Sequence, residues 1–509
     1  MDPERGLPVS RPDQAADSIV RNAIFAGASK LSGAAFTAVL MIFLVRYLGP
    51  EDYGVFALAL GVGGLMTVPA DLGISVSAAR FIAERRGDPD AMATFVADAI
   101  RLKIFVTGAA SLALFALAGP VANAYDTPDL EWPLRILAIA TFGQSVMILW
   151  ATIFEALGRI SVYLRVVIAE SALEASGSIV IVLLGTGATG AMIGRAAAYS
   201  FAAGFGLVLV ARTVGRSIRP RRGGHGHARR ILGYGSALVI VDGAFTVFSQ
   251  IDVILIGAIL SVSAVGLFEA AYRLAGLLYF IGMPIRSAVA PRLARGEQGP
   301  DHVALERTLR YVVLAQGVIL APLIVWAEPL TRIAFGTDYL ESAEVLRALA
   351  PFALLAAISP LLAGAANYLG AARRRVPIAL VTLAVNAAID LALLKPLGIV
   401  AGAIGTDVAY VIYVGAHLHL CRDVAGLRLR PLVPPLAGSL AAAAVMGLVL
   451  LAFGTGADLA IPLVVIGGAL GTAAYVAVLL ATRQVSREEL TAVWRRLRPA
   501  REGPQARPG

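Results

Sequence analysis

Cysteine is almost absent from this 509-residue chain. Cys421 stands alone, which excludes a scaffold held by intrachain disulfides. Charge is scarce too: Asp, Glu, Lys and Arg make up 15% of the sequence, against roughly 25% in ordinary soluble domains. Few charges beside abundant apolar residues also exclude a disordered chain. Lysine is nearly missing, with Lys30, Lys103 and Lys395 the three among 43 basic residues. His225 and His227 sit together in a basic stretch, but no cysteine or carboxylate stands near them to complete a metal site. No P-loop, HExxH, GxSxG or dinucleotide pattern occurs in a supporting context. The glycine-rich run Gly61-Val-Gly-Gly64 has no strand before it and no Lys-Ser/Thr after it. It lies inside an apolar stretch, where small residues let helices approach closely.

Apolar residues fill the space these absences leave. They form 58% of the chain, and the mean hydropathy is +0.78. A soluble exterior has no room for that much apolar surface. Fourteen stretches are apolar enough and near the length of about 20 residues needed to cross the hydrocarbon. They run approximately over 20–45, 53–78, 100–121, 134–156, 160–184, 188–211, 231–257, 265–290, 308–327, 345–366, 376–394, 398–419, 433–454 and 460–481. Continuous runs such as Leu436 to Phe453 lack the alternation of a transmembrane β-barrel. The expectation is an all-α polytopic membrane protein with about 14 transmembrane helices. The polar first 18 residues carry no cleavage signal, so 20–45 reads as a retained helix and not a signal peptide.

The net charge of +9 does not describe a nucleic-acid footprint, because the basic residues concentrate in alternate short loops. With the N-terminus in the cytoplasm, 34 of the 43 fall inside, among them Arg80, Arg85, Arg86, Arg101, Lys103, Arg373–Arg375, Arg422, Arg428 and Arg430. Five (Arg46, Arg135, Arg332, Arg347 and Lys395) fall outside. This asymmetry predicts a cytoplasmic location for both termini. The longest inner connection, 212–230, is a basic linker suited to anionic inner-leaflet lipid, at about 1 kcal/mol per basic residue.

Polar residues inside the apolar stretches are the candidate functional groups, since charge is costly there and normally meets a partner or a wet cavity. They are Lys30; Asp71 beside Pro69 and Gly73; Glu170 and Glu174; Arg195; Asp242, Gln250 and Asp252; Glu269 and Arg273; Arg286 after Pro284; Asp390; and Asp407. Each has a plain reading. Glu269 and Arg273 at i,i+4 neutralise each other. Lys30 and Arg286 snorkel to the inner interface and Arg195 to the outer one. Asp71 caps a helix end, while Glu170, Glu174, Asp242 and Asp252 make interhelical hydrogen bonds. A dozen such charges in both halves are better explained by a hydrated central cavity. Lys30, Arg273, Arg286 and Gln250 are the candidate substrate contacts, because guanidinium and ammonium groups suit a phosphate or pyrophosphate. Asp71, Glu170, Glu174, Asp242, Asp252, Glu269, Asp390 and Asp407 are the candidate coupling or gating groups. A proton or sodium ion is the expected coupling ion, with no other cofactor and no metal centre. The same charges are compatible with an exporter of organic cations, in which the carboxylates bind.

Arg46-Tyr-Leu-Gly-Pro-Glu-Asp-Tyr-Gly-Val-Phe56, Asp71-Leu-Gly-Ile-Ser75, Gln250-Ile-Asp252-Val-Ile-Leu-Ile-Gly257 and Val265-Gly-Leu-Phe-Glu-Ala-Ala-Tyr-Arg273 carry a family resemblance. The chain resembles the bacterial polysaccharide-biosynthesis and O-antigen flippases (Wzx-like) of the multidrug/oligosaccharidyl-lipid/polysaccharide exporter superfamily. The resemblance implies two six-helix lobes in a V-shaped arrangement plus two C-terminal helices. On this chain those are an N-terminal lobe at 1–215, a basic linker at 216–230, a C-terminal lobe at 231–430, two additional helices at 431–482 and a tail at 483–509. It implies translocation of undecaprenyl-pyrophosphate-linked oligosaccharide by alternating access in the bacterial cytoplasmic membrane, with other polysaccharide assembly proteins as partners and no enzymatic step. Related flippases use cavity arginines in helices 1, 2 and 8. Lys30 is the first-helix counterpart, Arg273 and Arg286 stand in the eighth, and the second helix has no mid-span arginine. A membrane glycosyltransferase would need longer outer loops with paired carboxylates than this chain has.

Overall fold

The computed structural model describes residues 12–85, 87–214, 225–279, 302–486 and 488–489. Its helices in chain order are α1 (Pro12–Leu65), α2 (Thr67–Asp71), α3 (Ile74–Glu84), α4 (Pro89–Ala124), α5 (Glu131–Ala156), α6 (Ile160–Leu183), α7 (Gly187–Val214), α8 (His225–Ile259) and α9 (Val262–Tyr279). There follow α10 (His302–Gln316), α11 (Leu320–Val325), α12 (Ala327–Phe335), α13 (Ser342–Ala348), α14 (Ala350–Tyr368), α15 (Arg375–Leu397), α16 (Val400–Ala425), α17 (Val433–Leu451) and α18 (Ile461–Ala481). Among the described residues, 3₁₀ turns and short loops connect them. In lipid a helix satisfies its own backbone, which is why a chain this apolar takes no open sheet.

The expectation of fourteen spans is corrected. Among the described residues ten helices are long and apolar enough to cross a membrane, or up to eleven if one bent pair counts as a single span. The difference lies in one bent stretch and in stretches whose backbone or side chains fall partly outside the described residues: 20–45, 231–257 and 265–290. The stretch 53–78 is not a straight span. Two helical segments join within α1 at a non-helical kink at Gly49 (φ 73°), between 20–45 and 53–78, and the second stretch is itself broken after Leu65, where α2–α3 departs by 46°. The stretch 231–257 lies within α8 (His225–Ile259), where the side chains at 234–238 and 240–242 lie outside the described residues and Gly243–Ile259 forms a shorter apolar helix. The described part of 265–290 ends with α9 at Tyr279.

The break between α2 and α3 has a local cause. Pro69 lies in α2, and the chain turns through left-handed backbone at Leu72 (φ 46°) and Gly73 (φ 71°). The turn leaves the Ala70 carbonyl without an ordinary helical partner, and it accepts from Thr107 Oγ1 at 2.8 Å and Ser145 Oγ at 3.1 Å. Asp71, just before the turn, is ion-paired to Lys103 of α4 and accepts from Ser75 Oγ at 2.5 Å. Lys103, grouped by its sequence position with the basic loop residues, is therefore fully buried inside a span. Removing one member of a buried ion pair costs about 3–5 kcal/mol, whereas replacing both costs much less. Lys103→Met is accordingly expected to lower the thermal unfolding midpoint in detergent well below that of the double variant Asp71→Asn/Lys103→Met. Equal midpoints for the two would show that the pair does not hold the break.

At one end of the bundle, α1 and α9 meet backbone to backbone. A Cβ on Gly54 would lie 1.9 Å from the Val262 carbonyl oxygen, and one on Gly266 would lie 2.0 Å from that of Pro50. Arg46 donates to the Ile333 carbonyl at 2.8 Å nearby. At the other end the short segment after α18 is a reciprocal capping box. Ser486 Oγ accepts from Glu489 N at 3.1 Å, and Glu489 Oε2 accepts from Ser486 N at 2.8 Å. That backbone N–H, with the Tyr311 hydroxyl and Arg310, holds the Glu489 carboxyl below its ordinary pKa.

Candidate functional site

Two adjoining cavities open in the middle of the bundle, with volumes of about 370 and 440 Å³. Thr37, Met41, Gln250 and Arg273 line both, so they form one cleft with two compartments. The glycine run of α1 shapes the shared wall. A Cβ on Gly64 would stand 3.2 Å from Gln250 Cδ, and one on Gly61 would stand 2.8 Å from a Val253 methyl. Absence of side chains there lets α8 bring Gln250 to the cleft.

The first compartment is the more polar. Arg195 of α7, Glu174 of α6, Tyr199, Gln144 and Arg273 face it. The α6–α7 hairpin sets Arg195 against Glu174 because Gly194 packs directly on backbone, where a Cβ would lie 2.4 Å from Ser178 N. Arg195 is ion-paired to Glu174 through one Nη, and its other Nη lies 3.4 Å from the Tyr199 hydroxyl. The guanidinium stands 4.9 Å from the Tyr199 ring centroid. Across the cleft, Arg273 donates to Glu269 Oε1 at 2.7 Å, one turn away on α9. Its side chain remains 36% exposed while that of Glu269 is 8% exposed, so the pair turns its cationic member to the cavity.

The second compartment has an aromatic wall. Tyr272 stacks on Phe352 with centroids 5.1 Å apart, and Phe352 meets Tyr410 edge-on at 4.9 Å. Ser249 and Ser359 add hydroxyls to its lining.

Behind this wall lies a buried polar cluster on α8, α15 and α16. Asp252 accepts from Asn386 Nδ2 at 2.5 Å and from Thr406 Oγ1 at 2.5 Å. Asn386 Nδ2 is also 3.2 Å from Asp390 Oδ2. Asn386 and Asp390 are completely buried. Their Oδ1 atoms have no hydrogen-bond partner among the described residues. Gly405 makes the space, since a Cβ there would lie 2.4 Å from Asp390 Oδ1. Two adjacent buried carboxylates require a proton or a cation between them. The oxygen donors suit a hard cation without assembling three or more His, Cys, Asp or Glu, and no such group occurs among the described residues.

The sequence-derived candidates thus fall into separate places. Gln250, Glu269, Arg273 and Glu174 reach the cleft, and Asp252 and Asp390 form the cluster behind it. Glu170 accepts from Ser171 Oγ at 3.0 Å, one turn from Glu174. Asp407 accepts from the Phe352 backbone N–H at 2.7 Å, capping the first turn of α14. Asp71 is at the α2–α3 break. Arg286 and the side chains of Lys30 and Asp242 lie outside the described residues. Four groups escaped notice as site residues: Tyr199, Gln144, Asn386 and Thr406. Asn386 had a usable signal, an amide one helical turn before Asp390 in an otherwise apolar stretch. Arg195 was visible, but its assignment to the outer interface hid its cavity position.

This fold recurs in solved transporters. The "Lipid II flippase MurJ, inward closed conformation" superposes with a TM-score of 0.71 at 14% identity, covering 90% of this chain and 98% of that one. An inward-facing multidrug resistance MATE family transporter of the MOP superfamily gives 0.61 at 14% identity, covering 77% and 94%. In sequence, the "Probable low-salt glycan biosynthesis flippase Agl15" of Haloferax volcanii is 22% identical over 408 residues, 79% of this chain and 83% of that protein. Fold and cleft together are those of an all-α polytopic membrane protein built like these transporters. Residues 43–344, more than half the chain, match the family described as "Polysaccharide biosynthesis protein". The chain belongs to that family.

Proposed function

We propose that this protein is a flippase that carries undecaprenyl-pyrophosphate-linked oligosaccharide from the cytoplasmic to the outer leaflet for surface polysaccharide biosynthesis. The observation that carries the reading is the central cleft in which Arg273 presents a guanidinium beside Gln250 and an aromatic wall. A sugar-pyrophosphate headgroup cannot enter hydrocarbon, while its prenyl chain can remain there. The protein has only to supply a polar cleft and alternate the face to which it opens. Lobes at 1–215 and 231–430, joined by the linker at 216–230, would rock about this cleft. The bacterial cytoplasmic membrane is the setting in this reading, and the arginine distribution supports both termini inside. The names of the glycan biosynthesis flippase of Haloferax and of the lipid II flippase agree with this cargo class.

The Asp252–Asn386–Asp390–Thr406 cluster is the coupling site in this reading. A proton or sodium ion bound there would offset one of the two carboxylate charges and bias how α8 packs on α15 and α16. Moving one charge across the membrane potential supplies about 2.3 kcal/mol per 100 mV. Asp252→Asn is expected to abolish the dependence of transport on a sodium or proton gradient while leaving cargo binding within a factor of two. A variant still driven by the same gradient would remove the cluster from coupling.

Multidrug export is the second reading, favoured by the aromatic wall beside the Glu269 carboxylate. Proteoliposomes containing fluorescent undecaprenyl-pyrophosphate-oligosaccharide separate the two. Protein-dependent exposure of headgroups, accelerated by an imposed membrane potential, is the expected result. No exposure with any glycan or gradient, together with efflux of an organic cation, would establish the rival.

A further inference from the structure

The second cationic group of the cleft, Arg195, belongs to the opposite wall from Arg273 and comes from α7. Its guanidinium has five N–H donors in a rigid fork. It spends one Nη on a single oxygen of Glu174, and its other Nη has only the long contact of 3.4 Å to Tyr199. Its Nε is buried with no hydrogen-bond partner among the described residues. A structural Arg–carboxylate pair ordinarily closes as a two-pronged fork, and such a fork leaves little to offer a ligand. This one is single-pronged and faces the same 370 Å³ space as Arg273. Gln144 and Thr141 add uncharged polar groups to the same lining.

We infer that Arg195 and Glu174 form an exchangeable latch, in which the anionic head of the cargo displaces Glu174 and takes the guanidinium. A head with two phosphoryl groups can then bridge Arg195 on α7 and Arg273 on α9, while a monophosphate can satisfy only one of them. Discrimination for diphosphate over monophosphate therefore resides in Arg195, and Glu174 sets the threshold by competing for it. The bridge ties the α6–α7 hairpin to α8–α9, so cargo with the full head links the two walls of the cleft. The latch rests on the flippase reading for its cargo class, and it adds a residue and a specificity to that reading.

Titrations of purified protein in detergent with farnesyl diphosphate and farnesyl phosphate test it, read by tryptophan fluorescence. Wild type is expected to prefer the diphosphate by more than tenfold. Arg195→Gln should reduce that preference to less than threefold, mainly by weakening the diphosphate. Glu174→Gln should act in the opposite direction and tighten the diphosphate by about three- to tenfold. A purely structural pair would give losses of the same sign in both variants, and that result would overturn the latch. If Arg195→Gln does not fold, Arg195→Lys replaces it, and Glu174→Gln decides alone on its sign. Wild-type protein that binds neither probe would overturn the lipid-diphosphate reading itself. Wild-type preference that survives in Arg195→Gln would overturn the latch only.

Discussion

Arg273→Gln is expected to lower flipping at least tenfold without changing membrane insertion. The guanidinium faces the cleft, and a charge-assisted hydrogen bond to a phosphoryl oxygen contributes about 1.5–3 kcal/mol, which corresponds to roughly 10- to 100-fold. Glu269 complicates a simple test. It is buried one turn away and receives its hydrogen bond from Arg273 at 2.7 Å, so the single variant strands a carboxylate. Loss of thermal stability would accompany loss of transport, and the two must be separated. In Arg273→Gln/Glu269→Gln the uncompensated charge is gone, so the unfolding midpoint should return toward wild type while transport stays low. Arg273→Lys, which retains charge without the fork, should recover part of the rate. If the double variant transports normally, Arg273 serves only to neutralise Glu269 and does not hold cargo.

The membrane class and the approximate helix positions were legible because hydrophobic length is a one-dimensional property. The number of spans was not. A bend such as the Leu72–Gly73 turn leaves the apolar run of 53–78 intact while changing how helices divide. Sites were legible as charges but not as neighbourhoods. Glu269 and Arg273 are one turn apart on a single helix, so their pairing follows from spacing. Asp252 meets residues more than 130 positions away on two other helices, and only packing brings them together. Arg195 and Lys103 illustrate the same limit. Position along a span suggested an interface for each, whereas the carboxylates that retain them, Glu174 and Asp71, lie on neighbouring helices.

Gly266→Val is expected to slow transport severalfold or more while leaving the protein folded, because it acts on the contact between the two walls and not on the cargo. At this end of the cleft α1 and α9 touch through main chain. Even the first carbon of a side chain at 266 would lie 2.0 Å from the Pro50 carbonyl oxygen and 3.0 Å from Gly54 N. Neither atom can rotate away, so the helices themselves must separate by an ångström or more. Overpacking of this kind costs about 1–3 kcal/mol. In a protein that alternates between two packings, that cost falls only on the state in which this end is closed. A penalty of this size shifts the closed population by roughly 5- to 150-fold, and transport should fall by a comparable factor. Gly54→Val attacks the same contact from the other helix, against the Val262 carbonyl, and should reproduce the phenotype. Spin labels at the exposed positions Glu51 and Ser261, in a Cys421→Ser background, report the separation directly. A longer distance with transport slowed is the expected pair of results. Unchanged transport in Gly266→Val would mean that α1 and α9 need not close here during the cycle, and the gate would have to lie elsewhere.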